Sequence, residues 1–241
     1  MTGSTFFLRF AAPVQSWGRY RVNGNQTPTY MTPSKSAVTG ILGAATGMHE
    51  KFQPSMFTME VRVDKQESVV SEVQTGGPFN TQETVLHMTQ QRLVAPEKVP
   101  VKGLEKQGLK RFITKDVLPR CEYIVSVHVP DTETAEKVAA GLDAPVHPLS
   151  LGKRPYIPSF PFYLGHVEGE HHRLLSDIPH LRHPHVQYFT DTLTVYRVDG
   201  DYHNETRTAR AVTPPSGGRS DVLAWAKTNL SQEIIREQSQ R

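Results

Sequence analysis

Residues 121–129, CEYIVSVHV, set Cys121, Tyr123, Val125, Val127 and Val129 at every second position. Such alternation predicts a strand with one face turned to a core, because successive side chains on a strand point to opposite faces. The same period occurs twice upstream. TFFLRFA (5–11) puts Phe6, Leu8 and Phe10 on one face, and FTMEVRV (57–63) alternates likewise. Between them Ala37, Val38, Ile41, Leu42 and Ala45 recur at helical spacing over about 33–47, and Pro33 after Thr32 predicts the helix start, with Pro33 at the first helical position. Beyond 129, Asp131 can cap a helix over about 132–142 whose Ala135, Val138, Ala139 and Leu142 share one side. A further strand is expected near 146–151. The resulting β-α-β-β-α-β order is that of an α+β, ferredoxin-like fold, which the common RNA-recognition module shares.

The two halves are separated by residues 68–118, too long for an ordinary connection. This stretch is predicted to be an inserted, protruding arm, with TVLHMTQQRLV (84–94) as one side of a hairpin. The domain organisation expected is a core of 1–67 and 119–152, the arm at 68–118, and a β-rich C-terminal extension over 153–241. In that extension DTLTVYRVDGDYHNETRTARAV (191–212) predicts a hairpin turning at Asp199-Gly200, and 220–237 a final helix.

Charge is distributed unevenly. The first 49 residues hold Arg9, Arg19, Arg21 and Lys35 and no acid, and 98–120 holds Lys98, Lys102, Lys106, Lys110, Arg111, Lys115 and Arg120 against Glu105 and Asp116. Basic stripes on a chain of net charge +3 suit a polyanionic partner. No run reaches the about 18 apolar residues of a membrane span, and MTGSTFFLRFAAP lacks a basic leader, so a cytoplasmic location and no membrane partner are expected. The lone Cys121 rules out an internal disulfide and a thiolate zinc cluster.

TPSKSAVTGILGAATG (32–47) carries a Lys-Ser pair like that of a phosphate-binding loop. It lacks the glycines that wrap a triphosphate, so nucleotide hydrolysis is not expected. Lys35 and Ser36 in the first turn of a helix can still meet one phosphate, where unpaired amides and the helix dipole favour an anion. QSWGRYR (15–21) joins aromatic rings to Arg19 and Arg21, the pairing that stacks bases and grips phosphates. LGKRPY (151–156) sets Gly152 before Lys153 and Arg154, suited to close approach of a nucleic-acid backbone. His171, His172, His180, His183 and His185 crowd one loop, but Pro184 interrupts helical pairing and no metal or other cofactor is expected. A histidine of that loop could act as general acid or base in RNA cleavage, though nothing fixes which one.

Taken in order, FFLRFAAPVQSWG, TPSKSAVTGILGAATG and LSLGKRPYIPSFP resemble the CasD-type subunit of type I-E CRISPR surveillance complexes (Cascade). Ser34 and Ala37 stand where that family usually has Thr and Gly, and the turn reads Gly-Lys-Arg rather than Gly-Arg-Lys. The resemblance implies a non-catalytic RNA-binding subunit with a ferredoxin-like domain and a thumb. It implies that the subunit caps the 5′ handle of the CRISPR RNA, that its partners are the backbone and large subunits, and that it meets target DNA through the complex. Gln15, Ser16, Trp17, Lys35, Ser36, Gly152, Lys153 and Arg154 fall on the matching motif positions. Arg19, Arg21, Lys110 and Arg111 join the candidate RNA-binding set by charge and placement alone. The alternative is a metal-independent endoribonuclease of the same superfamily that processes precursor CRISPR RNA.

Overall fold

Ser4–Ala11 forms strand β1, and every residue from Thr5 to Ala11 is buried. Burial on both faces is more than alternation alone predicts, and the sheet around β1 explains it. The computed structural model describes residues 3–18, 26–76, 111–180, 192–199, 202–210 and 219–230. The main sheet adds β2 (Thr58–Lys65), β3 (Glu122–Val129), β4 (Tyr163–Glu168), β5 (Thr192–Asp199) and β6 (Tyr202–Arg210). Its order is β4-β1-β3-β2-β5-β6 with every neighbouring pair antiparallel, so the architecture is α+β.

One face of this sheet carries helices α1 (Lys35–Thr46) and α2 (Thr132–Asp143). Phe6, Leu8 and Phe10 of β1 meet Tyr123, Val125 and Val127 of β3 there, under Val38, Ile41 and Leu42 of α1 and Val138 and Leu142 of α2. These are the positions the period-2 and helical patterns pick out. The helices touch closely at Gly141, where a Cβ would lie 2.7 Å from the Ala45 carbonyl oxygen. That close approach requires glycine. Within α1, Gly47 ends the helix in the left-handed region at φ 73°, whereas Gly40 faces open space and nothing in the structure explains it.

The opposite face is covered as well. Phe7, Ile124 and Leu164 pack against Leu175 in a 3-10 turn at His172–Ser176, against Ile178 just beyond it, and against Val222 and Ala226 of α3 (Arg219–Asn229). Polar side chains share this face and are satisfied inside it. Arg9 Nε lies 2.5 Å from Glu122 Oε1. Arg62 grips Asp64 through two bonds of 2.6 and 2.7 Å and donates to the carbonyls of Leu175 and Ile178.

Several boundaries differ from expectation. Helix α1 starts two residues later than predicted. Ser34 is the cap, its Oγ accepting from the Ala37 amide at 3.3 Å, so Lys35 rather than Pro33 is the first helical residue. No strand forms at 146–151. The amides of Val146 and His147 instead donate to Ala45 and Ala44 at the end of α1, satisfying carbonyls that a helix terminus leaves open. The strand that pairs with β1 on the side away from β3 is β4, in the stretch expected to belong to the C-terminal extension. The hairpin of β5 and β6 forms as predicted, with Asp199 opposite Tyr202.

The chain divides into two compact units, one of Met1–Gly18, Thr29–Val69 and Val117–Arg241, the other of Arg19–Pro28 and Val70–Asp116. Within the second, strand Val70–Gly76 pairs with strand Arg111–Pro119, Gln26–Thr27 runs parallel to Thr114–Lys115, and Ser71 Oγ donates to Asp116 at 2.6 Å. The hairpin arm expected at 84–94 lies outside the described residues. Among the described residues no helix is long and apolar enough to cross a membrane.

Glu122→Leu strips the counter-charge from a guanidinium that is 3% exposed. The expected loss is about 3–5 kcal/mol of unfolding free energy, because an unpaired buried charge remains. The double variant Arg9→Met/Glu122→Leu should regain most of it. Urea denaturation of the three chains measures both effects.

Candidate nucleic-acid interface

The first motif is turned inward. Trp17 is fully buried, stacked on Phe10 at 5.6 Å between centroids and edge-on to Tyr123 at 6.4 Å. Its amide donates to Thr29 Oγ1 at 2.7 Å, which fastens the two-residue pairing of Trp17–Gly18 with Thr29–Tyr30. Gln15 is buried with Nε2 donating to the Cys121 carbonyl at 2.5 Å, and Ser16 is buried beside it. These three side chains hold the loop after β1 and offer no ring to a base. Arg19 and Arg21 lie outside the described residues.

The mid-chain turn is built on the same loop. The Ser16 amide donates to the Leu151 carbonyl at 3.2 Å. Gly152 has φ 100°, and a Cβ there would collide with the Ser16 carbonyl oxygen. Gly152 therefore admits the chain's own backbone at this point. The turn is closed by Leu151 N to Tyr156 O (2.7 Å) and Tyr156 N to Lys153 O (2.9 Å). Its cations differ in character. Lys153 is half-buried with Nζ shielded from solvent, while Arg154 is exposed. Two motifs separated by over a hundred residues are thus one structural unit, which spacing alone cannot reveal.

At the start of α1, Ser36 is exposed. The Lys35 side chain is only 11% exposed; its Nζ sits 3.5 Å from Asp199 Oδ1 and 5.5 Å from the centre of the Phe57 ring. Lys35 is thus steered by the end of β5, a contact with no signature in the sequence. Arg111 opens the strand Arg111–Pro119, and Lys110 lies outside the described residues.

The histidine-rich loop is only partly described. His172 is hydrogen-bonded through Nδ1 to Ser126 Oγ (2.7 Å) and through Nε2 to Thr58 Oγ1 (3.0 Å), joining β3 to β2. His180 is buried with Nε2 3.0 Å from the Asp64 carbonyl. Both tie the covering segment to the sheet. His183 and His185 lie outside the described residues. Among the described residues no three of His, Cys, Asp and Glu gather as a metal site would require. Burial pushes the Cys121 thiol above its ordinary value, so it stays protonated and unreactive at neutral pH. Burial, and then the Asp143 charge, raise the Tyr163 phenol likewise.

One cation of the 98–120 stripe is absent from the candidate site set but lies beside it. Arg120 is exposed, has φ 48°, and donates its amide to the Pro13 carbonyl at 3.0 Å, beside the loop that carries both motifs. Positive φ is uncommon for arginine and is imposed by the turn between Pro119 and Glu122.

A family model described as "CRISPR-associated protein (Cas_Cas5)" matches residues 5–222. No curated protein matches the sequence. Among solved structures, one titled "CRISPR RNA-guided surveillance complex" superposes with a TM-score of 0.64 at 20% identity, covering 92% of this chain and 99% of the other. Another, titled "Crystal structure of Cas protein", gives 0.52 at 21% identity over 88% and 96% of the two chains. At such identities the likeness is one of fold.

Gly152→Ala should destabilise the protein by about 1–3 kcal/mol, since it adds both strain and a backbone collision. Arg154→Ala, on the exposed side of the same turn, should stay within about 0.5 kcal/mol. Thermal melting of the two variants checks this; equal melting temperatures would refute the packing role of Gly152.

Proposed function

The chain belongs to the Cas5 family of CRISPR-associated proteins, and from that premise we propose that it is the RNA-binding subunit of a type I-E surveillance complex, of CasD type. In this reading it holds the 5′ handle of the CRISPR RNA without cutting it. The family match over residues 5–222 carries the proposal. The order β4-β1-β3-β2 with two helices on one face is consistent with a ferredoxin-like core. The neighbouring backbone subunit is the proposed partner of the second unit, and target DNA is met through the complex.

The site geometry supports a division of labour. Ser16 and Gly152 build the support, and the exposed groups around it do the binding. Lys35 and Ser36 offer one phosphate position at the start of α1, where the helix dipole and open amides favour an anion. Binding without cleavage is favoured because His172 and His180 are engaged in hydrogen bonds that tie segments to the sheet.

The test is incubation of the full chain, in the absence of metal, with repeat RNA from the array of its own genome. Retention of intact RNA with nanomolar-to-micromolar affinity is expected. Efficient cutting at one site would favour the endoribonuclease instead. Lys35→Ala should weaken binding and lower the slope of log affinity against log salt by about 0.7, the share of one single-strand phosphate. Asp199→Asn, which releases Lys35, should strengthen binding. Filter binding across a salt series reads both.

A further inference from the structure

We propose that the outer side of residues 151–162 is a stacking platform for an unpaired RNA base, with the Phe160 ring as its face, Ile157 as its apolar neighbour, and Arg154 and Arg120 as its phosphate grips. This rests on the reading that the ligand is RNA, and it names where that RNA lies beyond the helix-end phosphate. Phe160 and Ile157 are 71% and 69% exposed, the highest values among the large hydrophobic residues described. Single exposed apolar residues are ordinary. Three further observations distinguish this pair.

First, the backbone beneath Phe160 is fixed although its ring is free. The Ser159 amide donates to the Ala11 carbonyl at 2.6 Å, and the Arg9 amide donates to the Phe162 carbonyl at 2.7 Å. The Arg9 guanidinium, itself buried against Glu122, reaches the Phe160 carbonyl at 3.4 Å. A ring carried on an anchored segment loses little freedom when a base covers it, so its stacking energy appears as affinity. Second, the core does not use this ring. Phe162, two residues on, turns inward and stacks on Phe10 at 5.6 Å with planes 4° apart, which leaves Phe160 on the outer side. Third, the segment that carries the ring is basic. No acid occurs between Asp143 and Glu168, and Glu122 is buried in its pair with Arg9. Arg154 lies on the turn anchored at Ser16, Ile157 and Phe160 flank the Ala11 anchor, and Arg120 is tied to Pro13 between them.

An apolar knob meeting a protein surface needs no such bias. A flat ring on a basic segment with no acid of its own suits a ligand with π-faces and a chain of phosphates, which is single-stranded nucleic acid. Duplex RNA does not fit, because its bases are already stacked and its grooves hide their faces.

The experiment uses the full chain and repeat-derived RNAs from its own array, carrying 2-aminopurine at successive unpaired positions. With wild-type protein, one position is expected to lose fluorescence on binding. Phe160→Ala should abolish that quench and weaken binding about 5- to 150-fold, the range of one base–aromatic stack, with the salt slope unchanged. Phe160→Trp should restore both. Arg154→Ala should instead reduce the salt slope. The ring's exposure means that Phe160→Ala melts at the wild-type temperature, and a melting scan verifies this. If wild-type protein binds but Phe160→Ala binds equally well, the platform is wrong while RNA binding stands. Equal RNA binding with lost assembly into the reconstituted complex would make the ring a protein contact and overturn the proposal. Failure of the wild-type chain to bind any repeat RNA would overturn the functional reading as well.

Discussion

Arg9 puts a guanidinium in the middle of a strand that is covered on both faces. A buried charge is tolerated only when it is paired and its remaining donors are used. Glu122 on the adjacent strand supplies the counter-charge, and carbonyls at 160–161 take the remaining reach of the side chain. One side chain thus couples the pairing of β1 with β3 to the path of the segment that leads into β4. Arg62 applies the same solution across the sheet. Its pairing with Asp64 leaves donors that fix the carbonyls of Leu175 and Ile178, and with them the cover over the second face. The second face is therefore assembled by directed polar contacts around a small apolar cluster, whereas the first is closed mainly by aliphatic and aromatic packing.

This difference decides what the sequence reveals. Phe6, Leu8 and Phe10 alternate with Thr5, Phe7 and Arg9, and the polar members make β1 read as half-exposed. The same holds for β3, where Glu122, Ser126 and His128 alternate with the valines. Burial of the polar residues there depends on partners far along the chain, such as His172, 46 positions on, for Ser126 and Gly169, 164 positions on, for Thr5. The periodicity records only the face that needs no partner. The fourth core strand was misplaced for a related reason: PVHPLSL has apolar character, but its amides serve α1, and the strand forms where YLGHVE can pair with β1.

The recognisable motifs mark the frame of the site more than its contact surface. Trp17 and Gln15 are buried, and Gly152 exists to let Ser16 approach. Such positions tolerate few substitutes because packing and backbone geometry fix them, so they stand out in a sequence. Arg120, Ile157 and Phe160 are exposed, and many side chains fit there without loss of stability. Their significance lies in being brought together by hydrogen bonds to one short loop, which requires the fold to be seen.

Lys35 shows how the frame and the contact surface connect. Its ammonium is drawn toward the Phe57 ring and the Asp199 carboxylate, but the Asp199 side chain is 84% exposed. An ion pair with so exposed a partner contributes only about 0–1 kcal/mol. A phosphate arriving at the start of α1 brings more charge and meets open helix amides that Asp199 does not occupy. Exchange of the carboxylate for a phosphate at the proposed site would therefore cost little. The end of β5 thus bears on the proposed phosphate position through the Asp199 carboxylate.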